Sequence, residues 1–175
     1  GDGSVEFPFT SFQDAVNGMD ELCRTIAMFP GTYQVQMNWS DGPIRLNGLG
    51  DDYGDVILEL GTNEEGEPIT GRMFDVSGGA TLGLANLTVR GASGTGDGGA
   101  IRAVNANIEL DYVRMLNNTA SADGGAISVT AGDLTIRHSL LQNNAAGDDG
   151  GGIAMFSGNF IDEDSTYRNN SGSKG

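Results

Sequence analysis

Lysine is almost missing from this chain. Lys174 stands beside eight arginines and 24 acidic residues, for a formal net charge of −15 over 175 residues. So acidic a surface repels phosphate backbones and anionic headgroups, which argues against nucleic acid and against an anionic membrane surface, and favours cations or basic partners. Cysteine is as scarce: Cys23 is alone, which excludes an internal disulfide framework. Followed by an apolar stretch, it reads as a small buried hydrophobe. No apolar run approaches the ~18 residues that a membrane span needs. There is no initiator methionine and no signal peptide, so a processed product or an excised segment is expected.

Glycine, by contrast, is plentiful at 29 residues, and much of it is periodic. Gly98-Gly99-Ala100-Ile101 returns as Gly124-Gly125-Ala126-Ile127 and as Gly150-Gly151-Gly152-Ile153, always after 26 residues. Asn117-Asn118, Asn143-Asn144 and Asn169-Asn170 keep the same step, as do Asp97, Asp123 and Asp149. A fixed step of this size is the mark of a solenoid. Between the marks, apolar residues alternate in short runs: Ile101 and Ala103, Ile108 and Leu110, Val113 and Met115. Period two means strands rather than helices. Three short strands separated by Gly, Asn or Asp describe one triangular turn of a parallel β-helix. Gly99, Gly125 and Gly151 and the asparagine pairs fall at its corners, where positive φ is tolerated. Turns stack at roughly 4.8 Å, so each repeating residue becomes a column. Ile101, Ile127 and Ile153 then fill the interior, and the asparagine columns can pass amide hydrogen bonds from turn to turn.

One domain is expected over 1–175, large enough for a continuous core. Residues 1–30 supply an N-terminal cap and first strand, 31–90 irregular turns, and 91–175 regular turns. Val5-Glu6-Phe7 reads as a short strand. Thr10 or Ser11 then caps a helix with Asp14 in its first turn, and Phe12, Ala15, Val16 and Met19 form its apolar face. Such a helix can cover the open end of the first turn. Gly61 to Gly71, with Glu64, Glu65 and Glu67, is expected to leave the stack. The last repeat degrades: Phe160, Asp162, Ser165 and Tyr167 occupy core columns, which implies a local change of register or an end effect. A capped beginning and an uncapped C-terminal end imply that more of the polypeptide, or another subunit, continues the stack.

Phe9-Thr10-Ser11-Phe12-Gln13-Asp14-Ala15-Val16, then Thr25-Ile26-Ala27-Met28-Phe29-Pro30-Gly31-Thr32-Tyr33, resembles the start of right-handed parallel β-helix proteins of the pectin-lyase-like superfamily. The repeats resemble the Gly-Gly-Ala-Ile and Phe-x-x-Asn motifs of chlamydial polymorphic outer membrane proteins and related bacterial surface β-helices. Gly98–Ile101 and Gly124–Ile127 match the first motif. Met115–Asn118, Leu141–Asn144 and Tyr167–Asn170 match the second with its Phe replaced. The resemblance implies an all-β, right-handed parallel β-helix, and surface proteins that are mostly adhesins.

The superfamily's polysaccharide enzymes need charged groups converging on one outer face. Here the single histidine, His138, reads as an isolated polar corner residue, and Asp148-Asp149 as turn chemistry. Arg102 has Ser128 and Ala154 as column mates, and Arg114 has Leu140 and Thr166, so neither column builds a cleft. Stacked Asp97, Asp123 and Asp149 would repel by roughly 3 kcal/mol per pair at an effective dielectric near 20. That column is either solvated, the preferred reading, or bridged by a cation such as Ca²⁺; Asp162-Glu163-Asp164 is the second candidate for such an ion. Sequons at Asn38, Asn86, Asn117 and Asn169 matter only in a glycosylating secretory route. The expectation is therefore a non-enzymatic structural or adhesive module, secreted or on a cell surface and without a cofactor unless Ca²⁺ binds. Its partners would be itself, carbohydrate or a cell-surface protein. The alternative is a polysaccharide lyase or hydrolase.

Overall fold

A computed structural model describes residues 11–19 and 24–174. The Val5–Phe7 strand, Thr10 as a cap and Cys23 lie outside the described residues. The chain is a parallel β-helix. One face is a five-stranded sheet of Met37–Trp39, Phe74–Ser77, Ile101–Val104, Ile127–Thr130 and Ile153–Ser157, one strand per turn. A ten-stranded sheet wraps the next two faces, because Thr81–Arg90 and Asn107–Leu116 run on as single strands through a bend. That bend sits at Asn86 (φ 52°) and Tyr112 (φ 54°), which turn the chain in the left-handed region. A two-residue strand per turn, as at Thr119–Ala120, closes the prism with a fourth ladder that the sequence pattern does not announce.

Strand pairing gives the repeat its physical meaning. Ile108 pairs Leu82 and Leu134, and Leu134 pairs Phe160. Ile127 pairs both Ile101 and Ile153; Ile101 and Ile127 are fully buried and Ile153 is partly so. Burying an aliphatic side chain of this size stabilises by about 1.5–3 kcal/mol, and every regular turn supplies several. Ser139 takes the place in the core that Val113 holds one turn earlier. Its hydroxyl accepts from the Val113 N–H (3.0 Å) and donates to the Arg137 carbonyl (2.6 Å), so a buried polar group is satisfied.

The early turns vary in length: Thr25 pairs Arg45, whereas Arg45 pairs Gly83 after a much longer path. The difference is taken up by loops, among them the excursion at Gly61–Gly71, pinned by a bridge between Thr62 and Pro68. At the first turn, helix Phe12–Asn17 is capped by Ser11, whose hydroxyl accepts the Asp14 N–H (3.1 Å). Phe12 and Ala15 are buried, and Val16 and Met19 pack on the same core.

The last turn keeps its register, with Leu134 opposite Phe160 and Ile136 opposite Asp162. Of the two explanations for its unusual core residues, a local change of register is therefore not observed. Phe160 and Tyr167 are 49% and 42% exposed, and the Tyr167 hydroxyl donates to Asp162 (3.1 Å). Among the described residues, the one slip in pairing lies elsewhere, at Val129/Thr130 opposite Phe156, which is pushed outward.

Candidate functional site

The asparagine pairs divide two tasks between adjacent residues. Asn117, Asn143 and Asn169 hold φ of 55°, 56° and 51° at an exposed corner. Asn118, Asn144 and Asn170 turn inward as a ladder. The Ala92 N–H donates to Asn118 Oδ1 (3.0 Å), the Asn118 N–H to Asn144 Oδ1 (3.0 Å), and the Asn144 N–H to Asn170 Oδ1 (2.9 Å). Their amide groups donate in turn to the carbonyls of Val89, Met115 and Leu141. The expectation that both columns pass hydrogen bonds holds only for the second, because the first spends its residues on backbone geometry. The glycine pair is divided likewise. Gly98, Gly124 and Gly150 need positive φ, whereas a Cβ on Gly99, Gly125 or Gly151 would strike backbone of the neighbouring turn.

Asp97, Asp123 and Asp149 do stack, one per turn, as another ladder. The Asp123 N–H donates to Asp97 Oδ1 (3.4 Å) and the Asp149 N–H to Asp123 Oδ1 (2.8 Å). The Lys174 ammonium sits against Asp148 (2.6 Å), and its pKa is raised by that hydrogen bond and by the charges of Asp148, Asp149 and Asp123. A positive charge thus already stands beside the column. Among the described residues no three Asp, Glu, His or Cys side chains converge as a metal site. Asp162, Glu163 and Asp164 diverge: the first meets Tyr167, the second Arg137 (2.9 Å), and the third turns a corner at φ 54°. Chelator should therefore leave the melting temperature within about 1 °C of its value in millimolar calcium. A fall of several degrees in a thermal melt with EDTA would assign calcium to the column.

His138 does sit at a corner, at φ 49°, but it is not isolated. Its ring stacks on Tyr112 (4.6 Å between centroids, 11° between planes), and Nδ1 lies 3.4 Å from Asp111 Oδ1. Comparison with family models, curated proteins and solved structures returns no match. The chemistry of the β-helix has to be read from its own side chains.

Two recesses carry charge. The first, about 450 Å³, lies on the five-stranded face between Asn38, Asp75 and the Thr95 corner. Asp75 pairs with Arg72 (2.7 Å) and Arg102 (3.4 Å). This corrects the expectation that Arg102 has only Ser128 and Ala154 for company, since Asp75 stands directly below it in the column. The signal was hidden because Asp75 and Arg102 are 27 residues apart rather than 26. Arg72 also donates to the carbonyls of Thr95 (2.9 Å), Asp97 (2.6 Å) and Gly98 (2.8 Å). Its guanidinium fastens the acidic corner to the stack, and Asp75 is the one carboxylate among the described residues that line the recess, without the partner an acid–base pair needs. The second recess, about 320 Å³, lies beside the Gly61–Gly71 excursion and includes the pair of Glu59 and Arg90 (2.9 Å). Between the two faces of the large sheet, Arg114 lies under the Tyr53 ring (4.0 Å) and reaches Asp52 (3.4 Å), which holds the Asp51–Asp55 loop against the stack.

Proposed function

We propose that this chain is a non-enzymatic structural or adhesive β-helix module of a secreted or cell-surface protein. The reading is supported by the resemblance of its motifs to those of pectin-lyase-like β-helices and of the repeats of chlamydial polymorphic outer membrane proteins. The observation that carries the reading is where the periodic polar groups are spent. Asn118, Asn144, Asn170, Asp97 and Asp123 all hydrogen-bond from one turn to the next. A repeat whose recurring side chains hold the stack together supplies a scaffold, and its long faces supply binding surface. The turn that starts at Ile153 leaves Phe156, Phe160, Ile161 and Tyr167 exposed. These exposed apolar side chains favour docking of a second copy of the chain.

The lyase or hydrolase reading has one observation in its favour, the Arg72–Asp75–Arg102 cluster in its recess. A polysaccharide panel separates the two. The module reading expects no release of reducing ends or unsaturated products above background. Turnover that Asp75→Asn abolishes would replace it with the enzymatic one. Electron microscopy and light scattering test the stacking part, which isolated monomers at all concentrations would refute.

A further inference from the structure

We propose that the corner carrying Tyr112 docks an arginine side chain of a basic partner protein. The corner is a column that begins, for this purpose, at Leu49, whose N–H donates to the Met28 carbonyl (2.8 Å) of the turn beneath. Asn86 comes next, with its amide turned inward to the carbonyls of Gly48 (3.1 Å) and Gly50 (2.8 Å). Tyr112 stands opposite Asn86 one turn further on, between the pairs Ala85–Asp111 and Leu87–Val113. His138 covers one face of its ring, yet Tyr112 is 47% exposed, as is Leu49. The uncovered ring face therefore looks back over Asn86 toward Leu49, across two turns of the stack. Two turns measure roughly 9–10 Å, which leaves room between an aromatic face and an aliphatic side chain for one flat group.

Stability does not account for the arrangement. Tyr112 and His138 hold φ of 54° and 49° where Asn86 and Asp164, below and above them, suit the left-handed region better. A bulky residue there costs about what an exposed aromatic stack returns. Strain kept without a gain in stability points to use. Charge then selects the visitor. Asp111 stands beside the stack, its Oδ1 3.4 Å from His138 Nδ1, and Asp51 and Asp55 are exposed on the loop after Gly50. The neighbouring arginines are committed, Arg137 to Glu163 (2.9 Å) and Arg114 to Asp52 (3.4 Å). The corner is thus negative, in a chain whose net charge is −15. A guanidinium is flat, stacks on aromatic rings and donates in its own plane to carboxylates, whereas an ammonium is a hydrated point charge. The molecule already makes this contact within itself: Arg114 lies against the Tyr53 ring (4.0 Å) while reaching Asp52.

The slot deepens the reading of the chain as a binding module and rests on it. Fluorescence anisotropy follows the full 175-residue chain binding labelled nonapeptides that alternate glycine with arginine, lysine or citrulline. The arginine peptide should bind saturably and about tenfold more tightly than the lysine peptide, and the citrulline peptide should not bind. Tyr112→Asn keeps the net charge and gives the corner the residue that Asn86 holds one turn below. It should melt no lower than the parent protein and bind the arginine peptide about tenfold more weakly. Leu49→Ala, on the opposite wall, and Asp111→Asn should each weaken binding about threefold. Glu65→Gln, which removes a charge from the excursion, should leave it unchanged. Absence of arginine binding at low salt overturns the assignment. So does equal affinity for the lysine peptide, or full affinity in both Tyr112→Asn and Leu49→Ala, since either would mean attraction by net charge alone. Sugar release from the polysaccharide panel would instead defeat the module reading and leave the slot standing.

Discussion

Replacing Asn144 with leucine should destabilise the protein by about 3–5 kcal/mol, while Asn143→Gly, one residue away, should change stability by less than about 1 kcal/mol. The contrast follows from direction. Asn144 is fully buried, and its Oδ1 accepts both the Asn118 N–H (3.0 Å) and the Asn118 amide (3.1 Å). Its own amide donates to the Met115 carbonyl (2.9 Å) and to Asn170 Oδ1 (2.9 Å). Leucine fills the volume but leaves the Asn118 N–H without an acceptor and strips the Met115 carbonyl of a donor. Each buried orphan costs about 1–3 kcal/mol, and loss from the middle of a polarised chain of amides adds to the sum. Asn143 is exposed, and its φ of 56° suits glycine. Urea unfolding followed by circular dichroism measures both. If the Asn144 variant matched the parent protein, the ladder would be ornament and the scaffold reading would lose its support.

The same pair shows what was legible beforehand. A step of 26 residues fixes stacking, columns and the identity of the core, because one-dimensional repetition converts sequence distance into spatial contact. Ile101, Ile127 and Ile153 could be placed together on that basis alone. Which of two adjacent asparagines faces inward could not, since both residues obey the period and only the corner geometry separates them. Tyr112 and His138 went unrecognised as a stack for a related reason. Asn86 and Asp164 share their column and tolerate positive φ easily, and nothing in composition signals that an aromatic ring occupies such a corner.

The irregular turns mark the other limit. Gln34, Glu59 and Arg90 form a column, and so do Asp75 and Arg102, but the loops between them differ in length and break the count. Charge clustering in those turns is therefore a property of the fold and invisible to periodicity. Both recesses lie there. The regular turns hold the scaffold, and the departures from regularity create the concave surface, as expected where binding groups sit on loops carried by a rigid frame.

Three glycine substitutions separate the two reasons a corner can need that residue, and the first should be the most damaging of the three. In Gly125→Ala the new Cβ would press on the Gly151 carbonyl oxygen and lie 2.6 Å from the backbone N and C of Ala145. All three are main-chain atoms held in neighbouring ladders, so no rotamer change relieves the clash. The turns themselves would have to part, breaking ladder hydrogen bonds such as Gly125 N–H to Gly150 O (3.1 Å). A loss above about 4 kcal/mol, or failure to fold, is expected. Gly96→Ala meets nothing within 4 Å but must hold φ 79°, and should cost about 1–2 kcal/mol. At Gly152 the equivalent residues one and two turns back are Ala126 and Ala100, and the nearest atom to a Cβ is the Asn170 side chain at 3.3 Å. There alanine should be neutral or stabilise by up to about 1 kcal/mol through the unfolded state. Thermal melts of the three variants give the ranking even if the first yields only insoluble protein, since the other two fold. A Gly125 variant as stable as the Gly152 variant would mean that the turns do not sit at strand spacing at this corner.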